Sequence, residues 1–265
     1  MKQRADVALV ARGLADSREK AQALILAGRV YISETRVEKA SRPVGAEEHL
    51  LVRGDDEGYA SRGGYKLQKG MEAFKVDAEG LVCMDVGAAA GGFTDVLLRA
   101  GARHVYAIDV GYGQMDWRIR QDARVTVMER TNARHLVPEQ FPMMPQLAVM
   151  DVSFISIRLI IPVLFSLMGK EGRLISLVKP QFEAGRGQVG KHGVVREADT
   201  HLRVLRDIRD FVAQQGLCLA DCIFSPITGP KGNVEFLADI GYDMNRSMDD
   251  AALAEVVSQA HRSLL

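Results

Sequence analysis

From residue 81 onward the chain alternates between short apolar runs that read as strands and amphipathic stretches that read as helices. This alternation restricts the possible folds more than any other feature. The runs cover residues 81–86, 104–109, 125–128, 147–151 and 173–179, and strands separated by helical segments pair in parallel as successive βαβ units. Two later runs, residues 218–224 and 234–240, are joined by Ser225-Pro226-Ile227-Thr228-Gly229-Pro230-Lys231-Gly232 with no helix between them. So short a connection joins antiparallel neighbours. The expected architecture is an α/β domain: a mostly parallel seven-stranded sheet with an antiparallel last strand, closed by a helix bearing Leu253, Val256, Val257 and Ala260.

The first 58 residues follow another pattern. Val7, Val10, Ala11 and Leu14 recur at helical spacing, and Ala21, Leu24 and Ile25 mark a second helix, with Asp16 and Glu19 spaced as its capping box. Residues 30–32, 34–35 and 50–52 read as short strands. Residues 1–45 hold nine basic against five acidic side chains, whereas residues 46–58 hold one against five. The charge reversal marks a boundary, giving a small α+β domain over 1–58 and a larger one over 59–265.

Composition removes several function classes. Lys plus Arg and Asp plus Glu both total 34, so no global field advertises a polyanionic partner and local balance decides. Cys83, Cys218 and Cys222 sit in apolar runs without a CxxC pair, which fits reduced, buried thiols in a cytoplasmic protein. The six histidines form no HxxxH pair, so no metal is expected. The longest apolar stretch, residues 159–165, is too short to span a bilayer and contains Pro162, and the N-terminus lacks a signal pattern.

Between the first strand and helix of the larger domain lies Asp85-Val86-Gly87-Ala88-Ala89-Ala90-Gly91-Gly92-Phe93-Thr94. Ligands of open α/β sheets sit outside the carboxyl ends of central strands, where a glycine turn lets backbone approach a nucleotide-like group. The GxxxGG spacing is not the GxGxxG of a dinucleotide site. Asp109 ends the next strand, 24 positions after Asp85, close to the offset at which a carboxylate meets ribose hydroxyls; a helix-capping role for it stays open. S-adenosylmethionine has no pyrophosphate to cradle and carries a cationic, amino-bearing end, which suits Asp85 beside a close-approach turn.

Residues Arg4, Asp6, Leu9, Val10, Gly13, Leu14, Ala15, Ser17, Arg18, Ala21, Leu24, Ile25, Gly28 and Val30 together resemble the S4 RNA-binding module. Farther on, Asp85-Val86-Gly87-Ala88, Gly91-Gly92-Phe93-Thr94, Asp109-Val110-Gly111-Tyr112-Gly113-Gln114, Asp151-Val152-Ser153-Phe154-Ile155-Ser156 and Val178-Lys179-Pro180-Gln181-Phe182-Glu183 resemble the FtsJ-like ribose methyltransferases, specifically the TlyA (hemolysin A) family. One departure is Ala89-Ala90, where family members often carry Ser-Thr.

The resemblance implies a class I, Rossmann-like methyltransferase that moves a methyl from S-adenosylmethionine to a ribose 2′-hydroxyl of ribosomal RNA, with a cytidine as target. It implies a catalytic tetrad of Lys66, Asp151, Lys179 and Glu235, with Lys179 meeting the hydroxyl. The cofactor set it implies is Asp85, Gly87, Ala88, Gly91, Gly92, Phe93, Asp109, Val110, Asn132 and Asp151. RNA contacts are expected from Arg4, Arg18, Lys20, Arg62, Arg118 and Lys191. Residues 179–196, long and locally basic, are expected to form either a surface loop or a lid over the substrate. A membrane-acting cytolysin and an S4 RNA-binding protein with an inactive methyltransferase fold are the alternatives.

Overall fold

The computed structural model describes all residues except 1–2, 27, 29, 33–34, 46, 53–57, 191, 230, 244–246 and 265. The chain divides into two compact units, Met1–Gly58 and Tyr59–Leu265.

In the first unit, strand β1 (Gln3–Arg4) leads into helix α1 (Ala5–Ala11), followed by α2 (Arg18–Leu26), β2 (Val30–Ile32), β3 (Thr35–Arg36), β4 (Pro43–Val44) and β5 (Leu50–Val52). Strand β2 pairs antiparallel with β3 and β5, and β1 pairs with β4. Ala5, Ala8, Leu9, Ala21, Ile25, Val30 and Ile32 form the core.

Two local expectations are corrected here. The buried face of α1 is Ala5, Asp6, Ala8 and Leu9, displaced from the Val7, Val10 and Ala11 stripe. Small alanines at 3.6-residue spacing let helices pack closely, and Asp6 turns inward because Arg4, Arg18 and Gln22 satisfy it. Ser17 caps α2, its Oγ accepting from the Lys20 amide at 3.2 Å, whereas Asp16 pairs with the Lys20 ammonium at 2.7 Å. A serine hydroxyl next to the first turn reaches a free helix-end amide that Asp16, one residue farther out, leaves to it.

The second unit runs α3 (Gly63–Phe74), β6 (Val82–Val86), α4 (Gly92–Arg99), β7 (His104–Ile108), α5 (Trp117–Arg120), β8 (Val125–Met128), β9 (Leu147–Met150), α6 (Ile161–Met168), β10 (Arg173–Val178), α7 (Pro180–Glu183), α8 (Ala198–Gln214), β11 (Cys218–Phe224), β12 (Phe236–Gly241) and α9 (Asp250–Leu264). Its seven strands lie in the order β11-β12-β10-β9-β6-β7-β8. Strands β6 to β10 are mutually parallel, and β12 runs antiparallel between β10 and β11. This is the sheet expected from the alternating runs.

Strand alternation distributes side chains between two cores. Val82, Met84 and Val86 of β6 face a cluster with Leu164, Ile208 and Leu253, while Cys83 faces one with Leu67, Met71, Phe93 and Leu97. Burial on both faces is why the central strands read as continuous apolar runs. The chain order reverses at β6, which has β7 on one side and β9 on the other. At such a point the crevice outside the strand ends opens.

Candidate active site

The turn after β6 is built from backbone. The Gly87 and Ala88 amides both donate to the Ile108 carbonyl, at 2.8 and 3.1 Å, and the Asp151 amide donates to the Val86 carbonyl at 2.9 Å. Gly87 has φ +86°, and a Cβ there would collide with the carbonyl oxygen of Asp151; only glycine serves at this crossing. Ala89 also takes a left-handed conformation, φ 45°. Its amide donates to Asp109 Oδ2 at 2.8 Å, and the Gly111 amide donates to Oδ1 at 2.6 Å. Asp109 thus ties the turn after β6 to the turn after β7. The missing Ser-Thr hydroxyls leave this backbone contact in place.

These turns wall a cavity of about 450 Å³, within the range of small-molecule sites. Of the residues the sequence nominated, Gly87, Asp109, Val110, Asn132 and Asp151 line it, joined by Ala89, Gln114, Thr131 and residues 152–155. Asn132 caps the turn over Ala133–His135 by accepting from the Arg134 amide at 3.1 Å. Ala88, Gly91, Gly92 and Phe93 are placed otherwise: they lie outside the cavity lining, under the turn and at the start of α4. Gly91 there has φ +89° and packs where a Cβ would meet Ile119.

Asp85 is also absent from the wall. It is fully buried, with Oδ2 accepting from the Thr94 hydroxyl at 2.6 Å and Oδ1 lacking a hydrogen-bond partner. Burial pushes its carboxyl up to about 7, the Thr94 hydrogen bond opposes this, and Asp151 and Asp109 add to the rise. Alternation along β6 explains the position: Asp85 shares the face of Cys83, toward α4, so its approach to a ligand passes through the turn above it.

The four tetrad positions form two ion pairs. Lys66, on α3, donates to Glu235 Oε2 at 2.5 Å, and both side chains are buried. Lys179 approaches Asp151 Oδ1 to 2.5 Å as an ion contact and donates to Ser153 Oγ at 3.0 Å. Sheet register places the pairs side by side. Val178 and Phe236 are opposite each other in the β10–β12 ladder, so the next residues outward, Lys179 and Glu235, leave the two strands together. Asp151 follows Met150, whose β10 partner is Ser176.

Phe154, which sequence reasoning did not single out, lines the same cavity, is 91% exposed and has φ 64°. Its ring lies 5.1 Å from that of Phe182. Left-handed backbone is uncommon for a bulky residue, and φ is not readable from composition.

The described residues after Lys179 include short regular elements. These are α7 and a turn over Arg186–Gln188. Farther along, the Val195 amide donates to Asn233 Oδ1 at 3.0 Å, Asn233 Nδ2 donates to the Gly193 carbonyl at 2.9 Å, and buried His201 contacts the Val195 carbonyl. The far end of this segment is therefore anchored beside the loop carrying Glu235.

Of the nominated RNA contacts, Arg62 is exposed at the N-cap of α3 and Arg118 pairs with Asp116 at 3.2 Å. In the first unit, Arg4 and Arg18 pair with Asp6 and Lys20 with Asp16, all three basic side chains remaining at least half exposed. Lys191 lies outside the described residues.

Comparison with known proteins places this geometry in a family. The model of the FtsJ-like methyltransferases matches residues 59–242, and that of the S4 domain matches residues 3–50. The chain belongs to the FtsJ-like methyltransferase family. Its sheet is accordingly a class I methyltransferase sheet. Among similar proteins is the 16S/23S rRNA (cytidine-2′-O)-methyltransferase TlyA of Mycobacterium tuberculosis, 42% identical, the match covering 97% of this chain and 96% of that one. Hemolysin A of Brachyspira hyodysenteriae is 38% identical over 89% of this chain and 98% of its own. A solved structure from Streptococcus thermophilus that carries a hemolysin label superposes with a TM-score of 0.79 at 41% identity, covering 99% of this chain and 96% of that one. Among the described residues, no helix is long and apolar enough to cross a membrane, and no cluster of three or more His, Cys, Asp or Glu side chains is arranged to hold a metal.

Proposed function

We propose that this chain is an rRNA 2′-O-ribose methyltransferase that uses S-adenosylmethionine and acts on a cytidine of ribosomal RNA in the cytoplasm. The observation that carries the reading is the pair of ion contacts, Lys66 with Glu235 and Lys179 with Asp151, at the carboxyl edge of the sheet beside the cavity of about 450 Å³.

The cavity fits the cofactor on its own terms. Gly87 provides a backbone surface that a Cβ would fill. Asp109 is half-buried and already oriented by two amides, leaving carboxylate lone pairs for ribose hydroxyls. Val110, Ala133 and Ile155 supply apolar wall for a base, and Asp151 supplies negative charge toward a cationic end. Asp85, beneath the turn, stiffens that end through Thr94. When bound, S-adenosylmethionine supplies an electrophilic methyl on its sulfonium.

The chain's own residues then have to hold a ribose oxygen in line with that methyl. Alignment of this kind contributes roughly 7–11 kcal/mol in well-oriented cases. Lys179, fixed by Asp151 and Ser153, meets the 2′-hydroxyl, and Lys66 with Glu235 holds the opposite side of the oxygen's position. An ammonium cannot accept a proton, so a base role requires a neutral Lys179 at the moment of attack. The S4 unit contributes phosphate contacts from Arg4, Arg18 and Lys20, with salt-dependent affinity, while Arg62, Arg118 and Lys191 contact RNA from the larger unit. The target nucleotide is unstacked to enter the site.

The test is tritium transfer from labelled S-adenosylmethionine to purified ribosomal subunits. Incorporation by the wild type that falls at least a hundredfold in Lys179→Ala supports the reading. Incorporation unchanged by that substitution rejects the catalytic assignment.

A further inference from the structure

Glu183, five residues beyond the end of β10, has no place in the tetrad, yet its side chain is almost fully buried, at 2% exposure. It stands at the end of α7, the short helix that begins immediately after Lys179. Both of its oxygens are taken by the loop that follows β9. Oε2 accepts from the Ser156 hydroxyl at 2.7 Å and Oε1 accepts from the Ile157 amide at 2.9 Å. Arg158 Nε lies 3.7 Å from Oε2, balancing the charge.

The two segments are consequently joined at both ends. At one end Lys179 contacts Asp151 and Ser153, and at the other Glu183 holds Ser156 and Ile157. Between them the rings of Phe154 and Phe182 meet. Helix α7 has only four residues, too few to hold its shape unaided. The Phe182 amide bonds back to the Lys179 carbonyl at 2.9 Å, so displacement of α7 moves the backbone of Lys179 directly.

We infer that Glu183 is a positioning residue for methyl transfer, a buried brace that fixes the Lys179 segment against residues 151–157 and thereby sets where the amine meets the ribose oxygen. This rests on the functional reading above. A misplacement of about 1 Å at a reacting group costs about a hundredfold in rate, and such a loss falls on kcat and leaves cofactor binding intact.

The experiment compares the full-length wild type with Glu183→Ala, Glu183→Gln and Ser156→Ala, measuring kcat and KM for ribosomal subunits and the cofactor Kd by calorimetry. Glu183→Ala is expected to lower kcat by ten- to a hundredfold with Kd within twofold. Glu183→Gln is expected to recover to within fivefold of wild type, since its amide oxygen can accept from Ile157 and its nitrogen can donate to Ser156 Oγ. Ser156→Ala, which removes one hydrogen bond and folds even if Glu183→Ala does not, is expected to lose three- to tenfold in kcat. Unchanged kcat in Glu183→Ala or Ser156→Ala, equal impairment of Glu183→Gln and Glu183→Ala, or a parallel loss of cofactor affinity overturns the brace while wild-type transfer stands. A wild type that transfers no methyl overturns the functional reading and this inference with it.

Discussion

Lys66 and Glu235 are 169 residues apart in the chain and 2.5 Å apart in the fold, and neither exposes more than a tenth of its side chain. A buried pair of this kind is costly to break from one side, because the survivor is left as an uncompensated charge. Lys66→Met should destabilise the protein by about 3–5 kcal/mol, and Lys66→Met with Glu235→Leu should recover most of it while remaining inactive. Chemical denaturation of the single and double variants checks both statements. Equal instability of the two would contradict them.

Gly87 stands where left-handed backbone and close approach to the Asp151 carbonyl coincide. In Gly87→Ala the turn has to move, and left-handed backbone alone costs an L-residue roughly 1–2 kcal/mol. The expected result is at least a tenfold loss of S-adenosylmethionine affinity by calorimetry, with the melting temperature lowered by a few degrees. Retained affinity would show that the turn does not form the cofactor wall.

The buried Asp85 gives a pH signature. Its folded-state value, about 7, lies above the ordinary 3.8, so the folded protein binds the extra proton between these limits. The stabilisation is complete below pH 4 and is lost as pH rises through 7, with a slope of at most about 1.4 kcal/mol per pH unit. His201 acts in the opposite sense: burial lowers it to about 4, so its contribution is present above pH 6.5 and lost as pH falls. The two overlap in wild type. The difference between Asp85→Asn and wild type isolates the first: the variant should gain stability relative to wild type as pH rises from 4 to 8, measured by denaturant unfolding across that range.

In the first unit, Arg4 beside Asp6, helped by Gln22 and Arg18, holds the Asp6 carboxyl well below the usual carboxylate range. Arg4 and Arg18 are thus aligned from behind while half of each side chain faces out. Arg18→Ala should weaken RNA binding and reduce the slope of log affinity against log salt by about one. Asp6→Asn should weaken binding without removing a cation, by releasing both arginines. Filter binding over a salt series distinguishes the two.

The sheet was legible in the sequence because strands buried on both faces must be apolar throughout, and the turn after β6 was legible because Gly87 and Gly91 both take left-handed backbone. Lys179 and Asp151 could be found as polar residues ending apolar runs. Lys66 and Glu235 could not be joined by spacing, since only antiparallel β12 returning beside β10 brings Glu235 to that edge. Asp6 was hidden for a related reason: a single inward carboxylate on a short helix looks like a solvated one until Arg4, Arg18 and Gln22 converge on it. The contacts of Glu183 and Phe154 join one loop to another, and loops carry no periodicity to read.

The most direct test is nucleoside analysis by mass spectrometry of ribosomal RNA incubated with S-adenosylmethionine and either wild type or Lys179→Ala. The account predicts 2′-O-methylcytidine with wild type and at least a hundredfold less with the variant. Methylation on a base, or equal 2′-O-methylcytidine from both proteins, would contradict it.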